Sequence, residues 1–152
     1  MPPEEAAAVL SGCCGSSEWV RRMAARRPFA SPGAALDWAD RVWKGLFPAD
    51  WLEAFRAHPR IGDTGAQGAA AAEQAGTKAA APEVLAALVE ANRAYEKRFG
   101  HIYIVCASGK SAEEMLDLCR RRLDNDASTE LTVAAEEQRK ITRLRMERLL
   151  AS

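Results

Sequence analysis

The chain has 152 residues, 48% hydrophobic and 28% charged, with 21 Lys+Arg against 21 Asp+Glu and a formal net charge of zero. That length suits one domain, residues 1–152, with a sizeable core, and a balanced surface gives no field to draw nucleic acid or an anionic membrane. No apolar run approaches the ~20 residues of a membrane span, Met1-Pro2-Pro3-Glu4-Glu5 lacks the basic opening of a secretory signal, and Leu149-Leu150-Ala151-Ser152 carries no peroxisomal address, so a cytoplasmic protein is expected.

The periodicity is helical almost throughout. Pro3 opens a first helix carrying Val9 and Leu10 and ending near Gly12. Cys13 and Cys14 follow; with Cys106 and Cys119 they show no C-x-x-C spacing, which fits buried reduced thiols rather than a disulfide framework or a zinc site. Ser16 or Ser17 caps a second helix with Trp19, Val20 and Met23 inward. Pro32 starts a third, where Leu36, Ala39, Val42, Trp43 and Leu46 recur at three- and four-residue steps. Asp50 and Glu53 have capping-box spacing at the start of a fourth, which reaches His58. Residues 62–82, rich in Gly and Ala, read either as a linker or as an entry loop followed by a short helix from Ala69 to Gln74, and Gly76 favours the second.

Pro82 opens a long helix with the stripe Leu85, Leu88, Val89, Asn92, Tyr95 and Phe99, stopped by Gly100. Ile102 to Ala107 is the one β-like run, and with no partner run it is expected to be a buried extended segment outside any sheet. Ser111 and Glu114 form a capping box for a helix lined by Met115, Leu116, Cys119 and Leu123. The last helix runs from about Ser128 to Leu150, with Leu131, Ala134, Gln138, Ile141, Arg145 and Leu149 on one face. The fold class is all-α, a bundle of roughly seven or eight helices with one short extended segment.

The chemistry centres on His58-Pro59-Arg60-Ile61-Gly62-Asp63 and, further on, Glu73-Gln74. Proline disfavours helix for the residue before it, so His58 is pushed out of helical geometry. Its imidazole suits proton transfer near neutral pH; the alternative is a charge placed at the negative end of a helix dipole. Glu73 is either a solvated face residue or a partner for His58. Arg145 lies between Ile141 and Leu149 on an apolar face, so its guanidinium needs a carboxylate or polar ligand, or else its stem snorkels to solvent. Asn92 either satisfies a backbone carbonyl or shapes a pocket. Neither a metal-ligand spacing nor a complete phosphate loop is present: His58, His101 and Cys106 lack ligand spacing, and Gly109-Lys110-Ser111 reads as a helix cap.

These segments, taken in order, resemble the 2-oxo-4-hydroxy-4-carboxy-5-ureidoimidazoline (OHCU) decarboxylases of purine degradation. The resemblance rests on Cys13-Cys14-Gly15-Ser16, Trp19, Arg27-Pro28-Phe29, His58-Pro59-Arg60-Ile61-Gly62, Glu73-Gln74-x-Gly76, Asn92-x-x-Tyr95-x-x-x-Phe99-Gly100, Gly109-x-Ser111 and Lys140-Ile141-x-x-Leu144-Arg145. It implies an all-α, cofactor-free homodimeric carboxy-lyase that forms (S)-allantoin in uric acid degradation, after urate oxidase and hydroxyisourate hydrolase. It gives His58 the proton-donor role, and gives Pro59, Ala70, Glu73, Gln74, the run Tyr103, Ile104, Val105, Cys106 and Ala107, and Arg145 substrate-contacting roles. Two positions depart from it: Ala70 stands where a serine is common, and His101 where an apolar aromatic is common. Loss of carbon dioxide leaves negative charge on the ring, which an imidazole can neutralise with a proton from one face, while a planar guanidinium can grip two oxygens. The competing reading is a non-catalytic helical interaction module or an inactive paralogue of the same fold, which Ala70 favours.

Overall fold

The computed structural model describes residues 1–61 and 80–151. Among the described residues there are seven helices and no strand: α1 (Pro3–Cys13), α2 (Ser17–Arg26), α3 (Pro32–Lys44), α4 (Pro48–Arg56), α5 (Pro82–Phe99), α6 (Ala112–Arg122) and α7 (Ala127–Ala151). The all-α expectation is borne out, and the expected short helix from Ala69 to Gln74 lies outside the described residues.

Local sequence sets most helix ends. Proline opens α1, α3, α4 and α5, where its missing N–H would be unbonded in any residue and its fixed φ is already helical. The hydroxyls of Ser16, Ser31 and Ser111 accept from the N–H groups of Trp19, Ala34 and Glu114 at 3.2, 3.1 and 3.1 Å. Glu114 completes the box by accepting from the N–H of Ser111 at 3.2 Å. Gly100, at φ +80°, ends α5 in the left-handed region that favours glycine.

Helix α1 ends at Cys13, near Gly12 as expected. One boundary differs from expectation. Helix α4 begins at Pro48 and stops at Arg56, so it does not reach His58. Asp50 reaches back to the N–H of Phe47 at 3.3 Å, but Glu53 takes no part in that cap. Its carboxylate accepts instead from the N–H and the hydroxyl of Ser17, each at 3.0 Å, and so caps the start of α2.

The chain divides into two compact units, Met1–Ala57 with Gln138–Ser152, and His58–Glu137. In the first, α2 packs against α1, α3 and α4. Trp19, Met23 and Phe55 are fully buried at its core, each stabilising by roughly 1.5–3 kcal/mol. The Trp19 indole N–H donates to the carbonyl of Ala39 at 3.3 Å, which satisfies its one polar atom. Arg139 and Arg143 both pair with Asp40, at 3.4 and 3.1 Å.

In the second unit α5 packs against α6. Leu88, Tyr95, Tyr103, Met115 and Cys119 form the core, with Ile61, Ala91, Val105, Ala107 and Leu116 around them. The buried face of α5 is Leu88, Ala91, Asn92 and Tyr95; Val89, expected inward, is exposed, since the 3.6-residue period turns it about 100° away from Leu88. On α6 Leu123 packs half-buried against this core as expected, and Arg122 beside it is also buried, on the three- and four-residue rhythm from Met115 and Cys119.

Candidate active site

The chain leaves α4 at Ala57 and continues through His58 and Pro59, both half-buried and non-helical. The next two residues are fixed to α5. Arg60 grips Glu96 with two nitrogens, Nε at 3.1 and 3.0 Å from the carboxylate oxygens and Nη2 at 2.9 Å. Ile61 is buried, and its carbonyl accepts from Asn92 Nδ2 at 3.0 Å. Asn92 therefore satisfies a backbone carbonyl, one of the two roles its place on the stripe left open. The Arg60–Glu96 pair is partly exposed and adds little stability, but with Asn92 it fixes where the backbone after His58 must pass.

The run from Ile102 to Ala107, expected to be extended, is non-helical and belongs to no sheet among the described residues. Tyr103, Ile104, Val105, Cys106 and Ala107 are all buried. Hydrogen bonds from several elements hold them. The Tyr103 hydroxyl donates to the carbonyl of Met115 at 2.9 Å, Arg122 Nη1 to the carbonyl of Ile104 at 2.7 Å, the Cys106 N–H to Glu137 Oε1 at 3.0 Å, and Lys110 Nζ to the carbonyl of Cys106 at 2.8 Å. The Lys110 amine is thereby spent on the turn that follows the segment, and Ser111 on the cap of α6. Ile61 shares its hydrophobic cluster with Tyr103, Val105 and Ala107, so the stretch after His58 and the extended run rest on one core.

Arg122 is the centre of this arrangement, and neither it nor Glu130 stood out in the sequence. Its Nε donates to Glu130 Oε1 at 2.6 Å, and the Tyr95 hydroxyl donates to the same oxygen at 2.6 Å. Asn125 Nδ2 holds the other oxygen at 3.0 Å. Glu130 is completely buried, and the Arg122 guanidinium lies 4.8 Å from the centre of the Tyr103 ring. Burial, and then the bond to Glu130, push the Tyr95 hydroxyl well above the ordinary tyrosine value. Burial does the same to Tyr103, with Arg122 opposing it. The available signal was spacing: Arg122 falls three residues after Cys119 on an inward stripe, but within a run of three arginines that reads as solvated.

His101 takes the place of an aromatic in more than sequence position. Its ring lies 5.5 Å edge-on from Tyr95 and 6.3 Å stacked on Phe99, and Nδ1 is 3.0 Å from the carbonyl of Ile102, a contact that asks Nδ1 to carry the proton. Among the described residues no group of three or more His, Cys, Asp or Glu side chains is arranged around a common point for a metal.

Arg145 belongs to the other unit, where it is half-buried and donates through Nη1 to the carbonyl of Gly12 at 3.3 Å. The adjacent thiols are buried. Burial raises Cys13 above the ordinary thiol value, opposed by Arg145, and pushes Cys14 up to about 11. Burial likewise takes Cys119 up to about 11. Thiols held neutral in this way are inert rather than nucleophilic. Of the sequence-predicted site residues, His58, Pro59 and the run Tyr103 to Ala107 thus lie in one unit and Arg145 in the other, while Ala70, Glu73 and Gln74 lie outside the described residues.

The family model for OHCU decarboxylase matches residues 1–147. The chain belongs to the OHCU decarboxylase family. It is 38% identical over 147 residues to the "Uric acid degradation bifunctional protein TTL" of Arabidopsis thaliana, covering 91% of this chain and 45% of that one. The chain thus spans about half the length of that relative. It is 28% identical over 134 residues to the 2-oxo-4-hydroxy-4-carboxy-5-ureidoimidazoline decarboxylase of Haloferax volcanii, covering 86% of this chain and 80% of that one. A crystal structure of an OHCU decarboxylase in the presence of (S)-allantoin superposes with a TM-score of 0.88 at 38% identity, covering all of both chains. An (S)-allantoin synthase structure shares the fold, with a TM-score of 0.75 at 17% identity over 97% of this chain and 50% of that one. No helix among the described residues is long and apolar enough to cross a membrane.

Proposed function

We propose that this chain, acting as one domain, decarboxylates 2-oxo-4-hydroxy-4-carboxy-5-ureidoimidazoline to (S)-allantoin in uric acid degradation. The observation that carries this reading is the full-length likeness to the decarboxylase crystallised in the presence of (S)-allantoin. Breaking the bond to the carboxylate releases carbon dioxide and leaves its electron pair on the ring and the conjugated oxygen. His58 supplies the proton that replaces carbon dioxide at that carbon. Delivery from one face makes a single enantiomer, and an imidazole is the side chain type suited to passing a proton near neutral pH.

Around His58 the substrate meets Pro59 and the backbone of Tyr103 to Ala107. In that run the carbonyl of Ile104 and the N–H and carbonyl of Cys106 are already engaged internally. The backbone N–H and C=O between them, on Val105, are the groups we assign to the planar ureide. Glu73 takes the ureido N–H groups or orients His58, Ala70 and Gln74 contact the substrate, and Arg145 holds an anionic or carbonyl oxygen. The reaction requires neither metal nor organic cofactor, a reading that rests on the absence of ligand spacing in the sequence; full activity after dialysis against a chelator is the expected outcome. The enzyme works in the cytoplasm as a homodimer.

The test is chiral and direct. Substrate generated in place from urate by urate oxidase and hydroxyisourate hydrolase should yield (S)-allantoin faster when this protein is added, with carbon dioxide released in equal amount. Racemic allantoin appearing at the unassisted rate would refute the activity.

A further inference from the structure

We propose that Gly15 is a positioning residue for His58, because it is where the last turn of α4 seats against the start of α2 immediately before His58; the inference rests on the reading of His58 as proton donor. A Cβ built on Gly15 would stand 2.5 Å from the Cβ of Ala57, with the Cα and carbonyl oxygen of Ala54 at 3.6 and 3.7 Å. Non-bonded carbons settle at ~3.5–4.0 Å, so any side chain at position 15 drives Ala57 away by roughly 1 Å. Ala57 is a helix cap with no flexible end to swing aside.

On the α4 side, Glu53 is tied to the N–H and hydroxyl of Ser17, two residues after Gly15, each at 3.0 Å. On the far side, Arg60 is tied to Glu96 and the carbonyl of Ile61 to Asn92. The helix ends at Arg56, its cap Ala57 is bonded directly to His58, and in Pro59 beyond it the ring fixes its own φ. In this proposal the peptide link from Ala57 passes the shift to His58. Proton transfer falls steeply with misplacement, and ~1 Å costs about 10²-fold in rate. Gly15 and Glu53 therefore act on turnover through His58 while touching no substrate, and a substitution at either should lower kcat and leave KM nearly unchanged.

The experiment is a compensation cycle on the full chain: Gly15→Ala, Ala57→Gly and the double variant, each with kcat, KM and melting temperature measured. Gly15→Ala is expected to lose about 10²-fold in kcat with little change in KM. Ala57→Gly removes the methyl that the new one would strike, so the double variant should recover most of that loss. Wild-type kcat in Gly15→Ala, or a loss that Ala57→Gly fails to recover in a folded double variant, would overturn the proposal. If Gly15→Ala does not fold, Glu53→Gln decides: kcat reduced at constant KM supports the positioning role, and unchanged kcat overturns it. His58→Asn measured in parallel separates the two claims. Normal turnover there removes the donor role of His58 itself, whereas an inactive His58→Asn beside a fully active Gly15→Ala removes only the role of Gly15.

Discussion

Arg122 donates from Nη1 to the carbonyl of Ile104 at 2.7 Å and so ties the extended segment to the end of α6. The same guanidinium neutralises Glu130, which is completely buried. Removing one member of such a pair leaves an uncompensated charge out of water. Arg122→Leu should therefore cost about 3–5 kcal/mol, read as a shift in the urea midpoint. Adding Glu130→Leu should recover part of that loss, because two apolar groups of suitable volume need no counter-ion. An Arg122→Leu protein as stable as the parent would show that the pair contributes nothing to the fold.

Gly100 ends α5 at φ +80°, with open space where a Cβ would be. The cost of Gly100→Ala is thus conformational rather than steric, about 1–2 kcal/mol. Thermal unfolding should show a lower melting temperature with an unchanged helical spectrum. No change in melting temperature would contradict the left-handed cap.

The Cys14 thiol, raised by burial from 9.0 to about 11, links stability to pH with a defined sign. The folded state holds the proton more tightly than the unfolded state, so this contribution is fully present below pH 9 and is lost as pH rises through about 11. Urea midpoints measured between pH 8 and 11 should fall, and Cys14→Ala should flatten that fall. At pH 8 all four cysteines should resist alkylation until the protein unfolds, since all are buried. Rapid labelling of Cys14 in the native protein would contradict this.

Arg145→Lys tests a planar fork against a point charge. Lysine keeps the positive charge but cannot grip two oxygens at once. If Arg145 holds a substrate oxygen, the variant should bind (S)-allantoin markedly more weakly while melting near the parent temperature. A variant that loses stability but keeps its affinity would reduce Arg145 to its bond with Gly12.

Much of this was legible in the sequence, and the parts that were not share a cause. Helix starts at Pro32 and Pro82, the caps at Ser16 and Ser111 and the stop at Gly100 are local signals, set within a turn of the chain. That Ile102 to Ala107 joins no sheet among the described residues was also readable, because no second β-like run exists to pair with it. Glu53 misled because a residue with capping-box spacing found a better partner 36 residues away, at Ser17. Arg122 and Glu130 were invisible for the same reason: only the fold shows that an arginine inside a basic run faces a buried carboxylate. Of the candidate site, His58 stood out through Pro59, and its fastening through Arg60 and Asn92 required the position of α5.

The central claim is that His58 delivers the proton that replaces carbon dioxide. The most direct measurement is circular dichroism of allantoin as it forms, with substrate generated in place from urate, for the parent protein and His58→Asn at matched folded concentration. The account predicts a single-enantiomer signal for the parent and a rate lower by about 10²–10⁴-fold in the variant, with helical content and melting temperature unchanged, since His58 is half-buried and lies outside any helix. A folded His58→Asn protein that builds the same signal at the parent rate would contradict it.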